Sequence, residues 1–334
     1  MKRTITFMIL ILIALNGFAN STAQQIFANP FMGMWGLDVE GGGAGWLHVH
    51  EEQGFLDAEL LWIGGSVVPV SNVYLLDENT LVVTRTNQVK RSPDRSHTIT
   101  YTLEVKKVGD ALEGTMSSPN RDGSGVFTKN FTGKRMPPMP STPDLSKLKY
   151  EKPIKLFNGK DLSGWKLIDP EKANGFKVVD GTLMNDPVQP ENGEHISYGN
   201  IRTLQEFKDF NLKLEVNVPE GNNSGVYLRG LYEIQVVDSY GKELDSHNMG
   251  ALYSRITPSE AAERPAGEWQ SFDITLVDRH VTVIFNGKKI IDNQPVLGPT
   301  GGAMSSDVLS PGPIYLQGDH GNVAYRNIVL TPIK

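Results

Sequence analysis

The stretch Gly225-Val-Tyr-Leu-Arg-Gly-Leu-Tyr-Glu-Ile-Gln-Val-Val-Asp238 decides the fold class. Its side chains alternate in character residue by residue, the period of a β-strand, so the spacing predicts one long strand. The even positions Val226, Leu228, Ile234 and Val236 are aliphatic and belong to a core. The odd positions carry Tyr227, Arg229, Glu233 and Gln235. An aromatic, a guanidinium, a carboxylate and an amide on one face have two readings. They are the floor of a polar binding groove, or they are a solvated face braced by an Arg229–Glu233 ion pair. Same-face neighbours lie roughly 6.5–7 Å apart along a strand, about the width of one sugar ring.

Outward from that stretch the pattern stays all-β. Alternating runs recur at Phe176–Val179, Thr182–Met184, Phe210–Val218, Trp269–Val277, His280–Phe285, Lys288–Ile291, Ile314–Gln317 and Ala324–Leu330. Asn286-Gly287 between two of these runs predicts a two-residue type I′ hairpin. Leu204–Phe210 reads as a turn or short helix, and Pro258–Arg264 as one helical turn. Met136-Pro-Pro-Met-Pro-Ser-Thr-Pro143 is an extended Pro-rich linker. Residues 26–135 contain further short runs with Gly turns, such as Trp46–His50, Leu56–Ile63, Thr80–Arg85, Thr98–Val105 and Ala111–Met116. They predict a small β-barrel or meander, lipocalin-like or streptavidin-like in architecture. Trp35, Trp46 and Trp62 are its expected core. Gly41-Gly-Gly-Ala-Gly45 is a hairpin loop and not a phosphate loop, since neither a Lys-Ser/Thr pair nor a helix follows.

The chain of 334 residues starts Met1-Lys-Arg, continues with an apolar run from Phe7 to Leu15, and reaches Ser-Thr-Ala23. That order predicts a signal peptide over 1–23 and a periplasmic or secreted mature protein. The domain organisation expected is then 24–136 for the small β-domain, 137–152 for the linker and 153–334 for the second domain. The run is too short to span a bilayer, and no membrane insertion is expected. No cysteine is present, which excludes disulfides, thiolate nucleophiles, Cys-ligated zinc and a lipoprotein anchor. Loss of Lys2 and Arg3 leaves 30 basic against 38 acidic side chains, a net −8. A chain this acidic, without a basic run, is a poor partner for nucleic acid.

Several short motifs occur in one order across the second domain. They are Leu156-Phe-Asn-Gly-Lys-Asp-Leu-Ser-Gly-Trp165, Asn223–Arg229, Tyr232–Asp238, Gly250-Ala-Leu-Tyr253, Gly267-Glu-Trp269, Asn286-Gly287, Gly312–Gln317, His320-Gly321 and Arg326-Asn-Ile328. On these motifs, residues 153–334 resemble the 3-keto-disaccharide hydrolase family. Gln317-Gly-Asp-His320 departs from the family pattern by one extra residue, which a β-bulge would absorb. The resemblance implies a concanavalin A-like jelly roll of two antiparallel sheets whose concave face holds an oligosaccharide or glycoside. It also implies cleavage of a 3-keto-glycoside with no organic cofactor.

Candidate chemistry follows residue by residue. Glu233 is the candidate general base, with the Arg229 ion pair as the structural alternative. His320, in a Gly-flanked loop, can titrate near neutral pH and act as acid or base. Tyr227, Arg229, Gln235, Tyr253, Gln317 and Arg326 are candidate substrate contacts, and Arg326 could equally brace a carboxylate. Asp238 either binds at the strand end or caps a turn. His247 is a candidate for sugar contact or, with Asp238, for a divalent metal. Trp269 is a core residue or a stacking platform, and Trp165 is structural. His48 and His50 face the same way on one strand. With no third ligand evident, they read as polar surface rather than as a metal pair.

A conventional glycosidase needs two carboxylates across the scissile bond, and no partner for Glu233 stands on its face. A 3-keto sugar offers another route. The ketone acidifies C2–H, a base removes that proton, and the C1 substituent leaves by β-elimination. A non-catalytic sugar-binding jelly roll and an ordinary endo-glucanase are the alternatives.

Overall fold

The computed structural model describes residues 28–191 and 193–334. The expected signal peptide, 1–23, lies outside the described residues. Among those described, no helix is long and apolar enough to cross a membrane. The chain divides into two compact units, residues 28–62 with 67–136, and residues 63–66 with 137–334.

The first unit is one nine-stranded antiparallel sheet. Its strands are β1 (Gly33–Val39), β2 (Ala44–Glu52), β3 (Phe55–Leu61), β4 (Val68–Pro69), β5 (Asn72–Asp77), β6 (Thr80–Ser92), β7 (Arg95–Val108), β8 (Ala111–Pro119) and β9 (Val126–Arg135). The spatial order β4-β3-β2-β1-β9-β8-β7-β6-β5 puts the first and last strands side by side. The meander expectation holds, but the ladder does not close into a barrel. β4 and β5 remain unpaired edges although only Val70 and Ser71 separate them. β4 is two residues long and ends in Pro69, which has no N–H to continue a ladder. Leu37, Leu47, Val49, Leu60, Leu103, Val105 and Leu112 are sealed from solvent, as are Trp35 and Trp46. Trp62 is half-buried, edge-on to Phe131.

The second unit carries β10 (Ile154–Lys155), β11 (Trp165–Leu167), β12 (Phe176–Val179), β13 (Thr182–Asn185), β14 (Ile201–Thr203), β15 (Phe210–Asn217), β16 (Asn223–Leu228), β17 (Tyr232–Val237), β18 (Trp269–Val277), β19 (His280–Phe285), β20 (Lys288–Pro295), β21 (Tyr315–Leu316) and β22 (Val323–Pro332). An eight-stranded sheet runs β12-β13-β22-β15-β18-β19-β20, with β10 beside β22. A five-stranded sheet runs β11-β14-β21-β16-β17. All ladders are antiparallel, and the two sheets form the jelly-roll sandwich. Ser224 of β16 and Tyr325 of β22 meet across it, Oγ to Oη 2.6 Å, both fully buried.

Two expectations are corrected, the single strand over 225–238 and the helical turn over 258–264, and the turn-or-helix alternative over 204–210 resolves to a bend. The 225–238 stretch is a hairpin and not one strand, because Arg229 and Gly230 adopt positive φ (57° and 66°) and the chain reverses there. No helix forms over 204–210 or 258–264. Phe207 instead bridges to Gly312, and the carboxylate of Glu263 holds the amide and hydroxyl of Ser239. The type I′ turn at Asn286-Gly287 is present, with φ of 48° and 84°. Trp165 is structural, its indole donating to the Leu156 carbonyl at 2.8 Å.

Candidate active site

The register of the five-stranded sheet assembles the site. Lys166 pairs with Arg202, Arg202 with Tyr315, Tyr315 with Tyr227, and Tyr227 with Glu233. Directly paired residues share a face, so these five form one row across all five strands. Gly225 and Gln235 are paired in the next row, and the Gln317 amide donates to the Gly225 carbonyl. Ser224, Val226, Leu228, Ile234 and Val236 point the other way, into the sandwich. The polar row is therefore the outward face of this sheet.

Glu233 is almost completely buried, at 4% exposure. Its Oε2 lies 2.8 Å from the Tyr227 hydroxyl, which also lies 2.6 Å from the Gly301 carbonyl. Tyr227 has one proton and two acceptors. Its single proton is shared between the Glu233 carboxyl and the Gly301 carbonyl. Burial pushes the Glu233 carboxyl up to about 8. The Tyr227 hydrogen bond and the charge of His320 oppose that rise, and Asp319 adds to it. Gly225 leaves the room, since a Cβ there would stand 2.3 Å from Glu233 Oε1.

The loop before β21 lies over this row through backbone groups and the Thr300 hydroxyl. Thr300 Oγ1 accepts the Glu233 amide at 2.9 Å, and Gly302 O accepts the Tyr315 hydroxyl at 2.9 Å. The rings of Tyr227 and Tyr315 stack at 3.8 Å. Gly302 has φ +81° and a Cβ would meet Tyr227 Oη at 2.8 Å.

His320 stands beside this row. Its Nδ1 is 2.6 Å from Asp319 Oδ1, which leaves Nε2 as its other functional nitrogen. The Asp319 bond raises the His320 pKa, burial opposes, and the Glu233 charge adds to the rise. Burial is the largest single influence on Asp319 and would raise it, but the bond to His320, the His320 charge, a backbone hydrogen bond and the Lys172 charge together bring the pKa down. Glu233 and His320 each feel the other's charge. The residue that lengthens Gln317–His320 beyond the family pattern thus sits within a motif that supplies the carboxylate orienting the imidazole.

The other sequence candidates divide. Gln317 is on the Glu233 face, and its Oε1 is buried with no hydrogen-bond partner among the described residues. Gln235 is buried on the same face, its Oε1 accepting the Val236 amide at 3.1 Å. Tyr253 stands edge-on to His247, ring centroids 5.0 Å apart. His247 lies between Asp245 on Nδ1 and Ser66 Oγ, 2.8 Å from Nε2. Asp238 caps a turn, accepting the Gly221 amide at 2.9 Å. Among the described residues, no three-ligand group forms at Asp238 and His247.

Arg229 and Arg326 depart from expectation. Arg229 occupies the reversal, so its guanidinium turns into the loop and donates to the carbonyls of Val308 (2.9 Å) and Ser310. It forms no ion pair with Glu233 among the described residues. Arg326 is on β22 of the other sheet, bonded to Glu215 and lying 3.9 Å over the Trp269 ring. Its neighbour Tyr325 points inward, so alternation sends Arg326 to the outer surface. Trp269 is a platform for that arginine.

Sequence reasoning passed over Asp319, Tyr315, Arg202 and the Thr300–Gly302 segment. Pro299-Thr-Gly-Gly302 in a stretch without alternation was the signal for the last. For Asp319 it was its place immediately before His320 in Gln317-Gly-Asp-His320.

The model of 3-keto-α-glucoside-1,2-lyase-like domains matches residues 152–331. No curated protein matches the chain. Among solved structures, a candidate glycosyl hydrolase from Parabacteroides distasonis is 28% identical, over 63% of this chain and 95% of that one, at TM-score 0.44. A second from the same organism is 22% identical, over 55% of this chain and 94% of that one, at TM-score 0.45.

Proposed function

The chain belongs to the 3-keto-α-glucoside-1,2-lyase-like family, and from that premise we propose that it is an exported enzyme cleaving 3-keto-glycosides. The observation that carries the reading is the pairing of a buried, proton-holding Glu233 with an Asp319-held His320 beside the same polar sheet face. Among the described residues, the carboxylate whose charge raises Glu233 is that of Asp319, and it is bonded to His320. That arrangement differs from the two free carboxylates of an ordinary glycosidase.

In the proposed reaction His320 Nε2 takes the proton from C2 of the 3-keto sugar. The C2–H electron pair moves to the C3 oxygen as an enolate. Gln317 stands on the same face and offers its side-chain amide to that oxygen. The enolate collapses, the C1–O bond breaks, and the leaving oxygen takes the Glu233 proton. Water adding at C1, with a proton returned to C2, completes net hydrolysis. An acid whose carboxyl burial pushes up to about 8, beside an imidazole held by Asp319, suits this division of labour.

The test is to incubate the purified chain with trehalose, sucrose and aryl glucosides, each with and without prior oxidation at C3. Release from the oxidised compounds alone, with C2 deuterium uptake in heavy water, supports the reading. Equal cleavage of unoxidised glycosides, or cleavage without C2 exchange, refutes it.

A further inference from the structure

The hairpin β2–β3 of the first unit turns at Gln53-Gly54, both at positive φ (51° and 87°). Its register pairs His48 with Glu59, His50 with Asp57 and Glu52 with Phe55. Alternation puts His48, His50 and Glu52 on one face of β2, and pairing puts Asp57 and Glu59 on that face too. Leu47 and Val49 take the opposite face and are buried. Two imidazoles and three carboxylates therefore occupy one side of a two-stranded ribbon.

Their geometry is closer than the strand spacing alone requires. His50, Glu52 and Asp57 each place a ligand atom within 4.8 Å of the other two. The His48 and His50 rings stack at 4.8 Å, and His48 Nδ1 is 3.7 Å from Glu59. His50 Nδ1 is buried and has no hydrogen-bond partner among the described residues. A shielded ring nitrogen beside two carboxylates is unsatisfied as it stands.

We propose that His50, Glu52 and Asp57 bind a divalent transition-metal ion, zinc above all. One imidazole nitrogen with two carboxylate oxygens is a three-ligand set that leaves a position for water. The imidazole favours zinc over calcium or magnesium, which take oxygen. Zinc bonds of about 2.0–2.2 Å put tetrahedral ligands roughly 3.4 Å apart, so the groups must draw in by about 1 Å. Glu52 is exposed and free to move. Asp57 is already oriented, since its Oδ1 accepts the Ala58 amide at 2.7 Å. The cation also neutralises carboxylates that otherwise repel across the ribbon. This site is independent of the sugar chemistry, which lies in the other unit.

The test is calorimetric titration of the metal-stripped full chain with zinc chloride, repeated on His50→Ala and Asp57→Asn. The expected result is one equivalent bound with micromolar affinity, weakened at least about tenfold by either change. In the unaltered chain the His50 ring resonances should shift on zinc addition, a readout that needs no variant. Absence of binding overturns the proposal. So do unchanged affinity in His50→Ala, unmoved His50 resonances, and displacement of zinc by equimolar magnesium or calcium.

Discussion

Glu233 and His320 set the pH behaviour of the proposed reaction. The acid must hold its proton, so activity should fall as pH rises past about 8. The base must be neutral, so activity should climb as pH rises through the His320 pKa, which lies above its ordinary value. A bell with an alkaline limb near 8 is the expected kcat/KM profile. Glu233→Gln should lower kcat about 10²–10⁴-fold and remove the alkaline limb from what activity remains. Asp319→Asn takes away the largest influence raising His320, so the acid limb should move to lower pH. An unmoved limb in that variant would separate Asp319 from the mechanism.

The same carboxyl makes stability depend on pH. Its folded pKa, about 8, is raised above the ordinary 4.5. Such a group contributes stability that is fully present below about 4.5 and is lost as pH rises toward 8. At 1.36 kcal/mol per unit the shift corresponds to at most about 5 kcal/mol. The melting temperature of the unaltered chain should therefore decline from pH 5 to 8, and that of Glu233→Gln should decline less. Parallel declines measured by calorimetry would contradict a protonated Glu233.

At the scale of the element, the 225–238 hairpin shows why the polar face was legible in the sequence although the strand was misread. Tyr227 pairs with Glu233 and Gly225 with Gln235. Each pair joins two odd positions, so reversing the chain at Arg229-Gly230 leaves the odd residues on one face, as a single strand would. Only Arg229 changes place, because it occupies the turn. Alternation could not place Arg326, since period-2 patterning separates two faces without saying which one borders substrate. The Thr300–Gly302 segment was illegible for a different reason. It holds Tyr227, Tyr315 and Glu233 mainly through backbone carbonyls and one hydroxyl, and carbonyls leave no mark in a sequence. Gly225→Ala tests the packing at this scale. The new methyl must displace the Glu233 carboxylate, so kcat should drop while the chain stays folded by circular dichroism. Full activity in Gly225→Ala would mean the carboxylate need not occupy its observed position.

At the scale of the whole molecule, the Pro-rich stretch reads from composition as a spacer, yet its carbonyls are used by the second unit. Arg279 donates to Pro137 O at 2.9 Å and to Pro138 O at 3.3 Å, and Asn293 Nδ2 to Pro143 O at 2.9 Å. Glu151 N donates to Pro332 O, and Lys334 N to Lys149 O. Proline lacks a donor but keeps its acceptor, so a Pro-rich segment can still satisfy a buried cation. Arg279 is 3% exposed, and burial lowers its pKa. Without these carbonyls its charge would be left buried and less well paired, at a cost of about 1–3 kcal/mol. A fragment starting at residue 153 should therefore melt about 2–10 °C below one starting at 137. Arg279→Met should narrow that difference, because the cation that needs the carbonyls is gone. Equal melting temperatures for the two fragments would show that residues 137–152 act as a spacer after all.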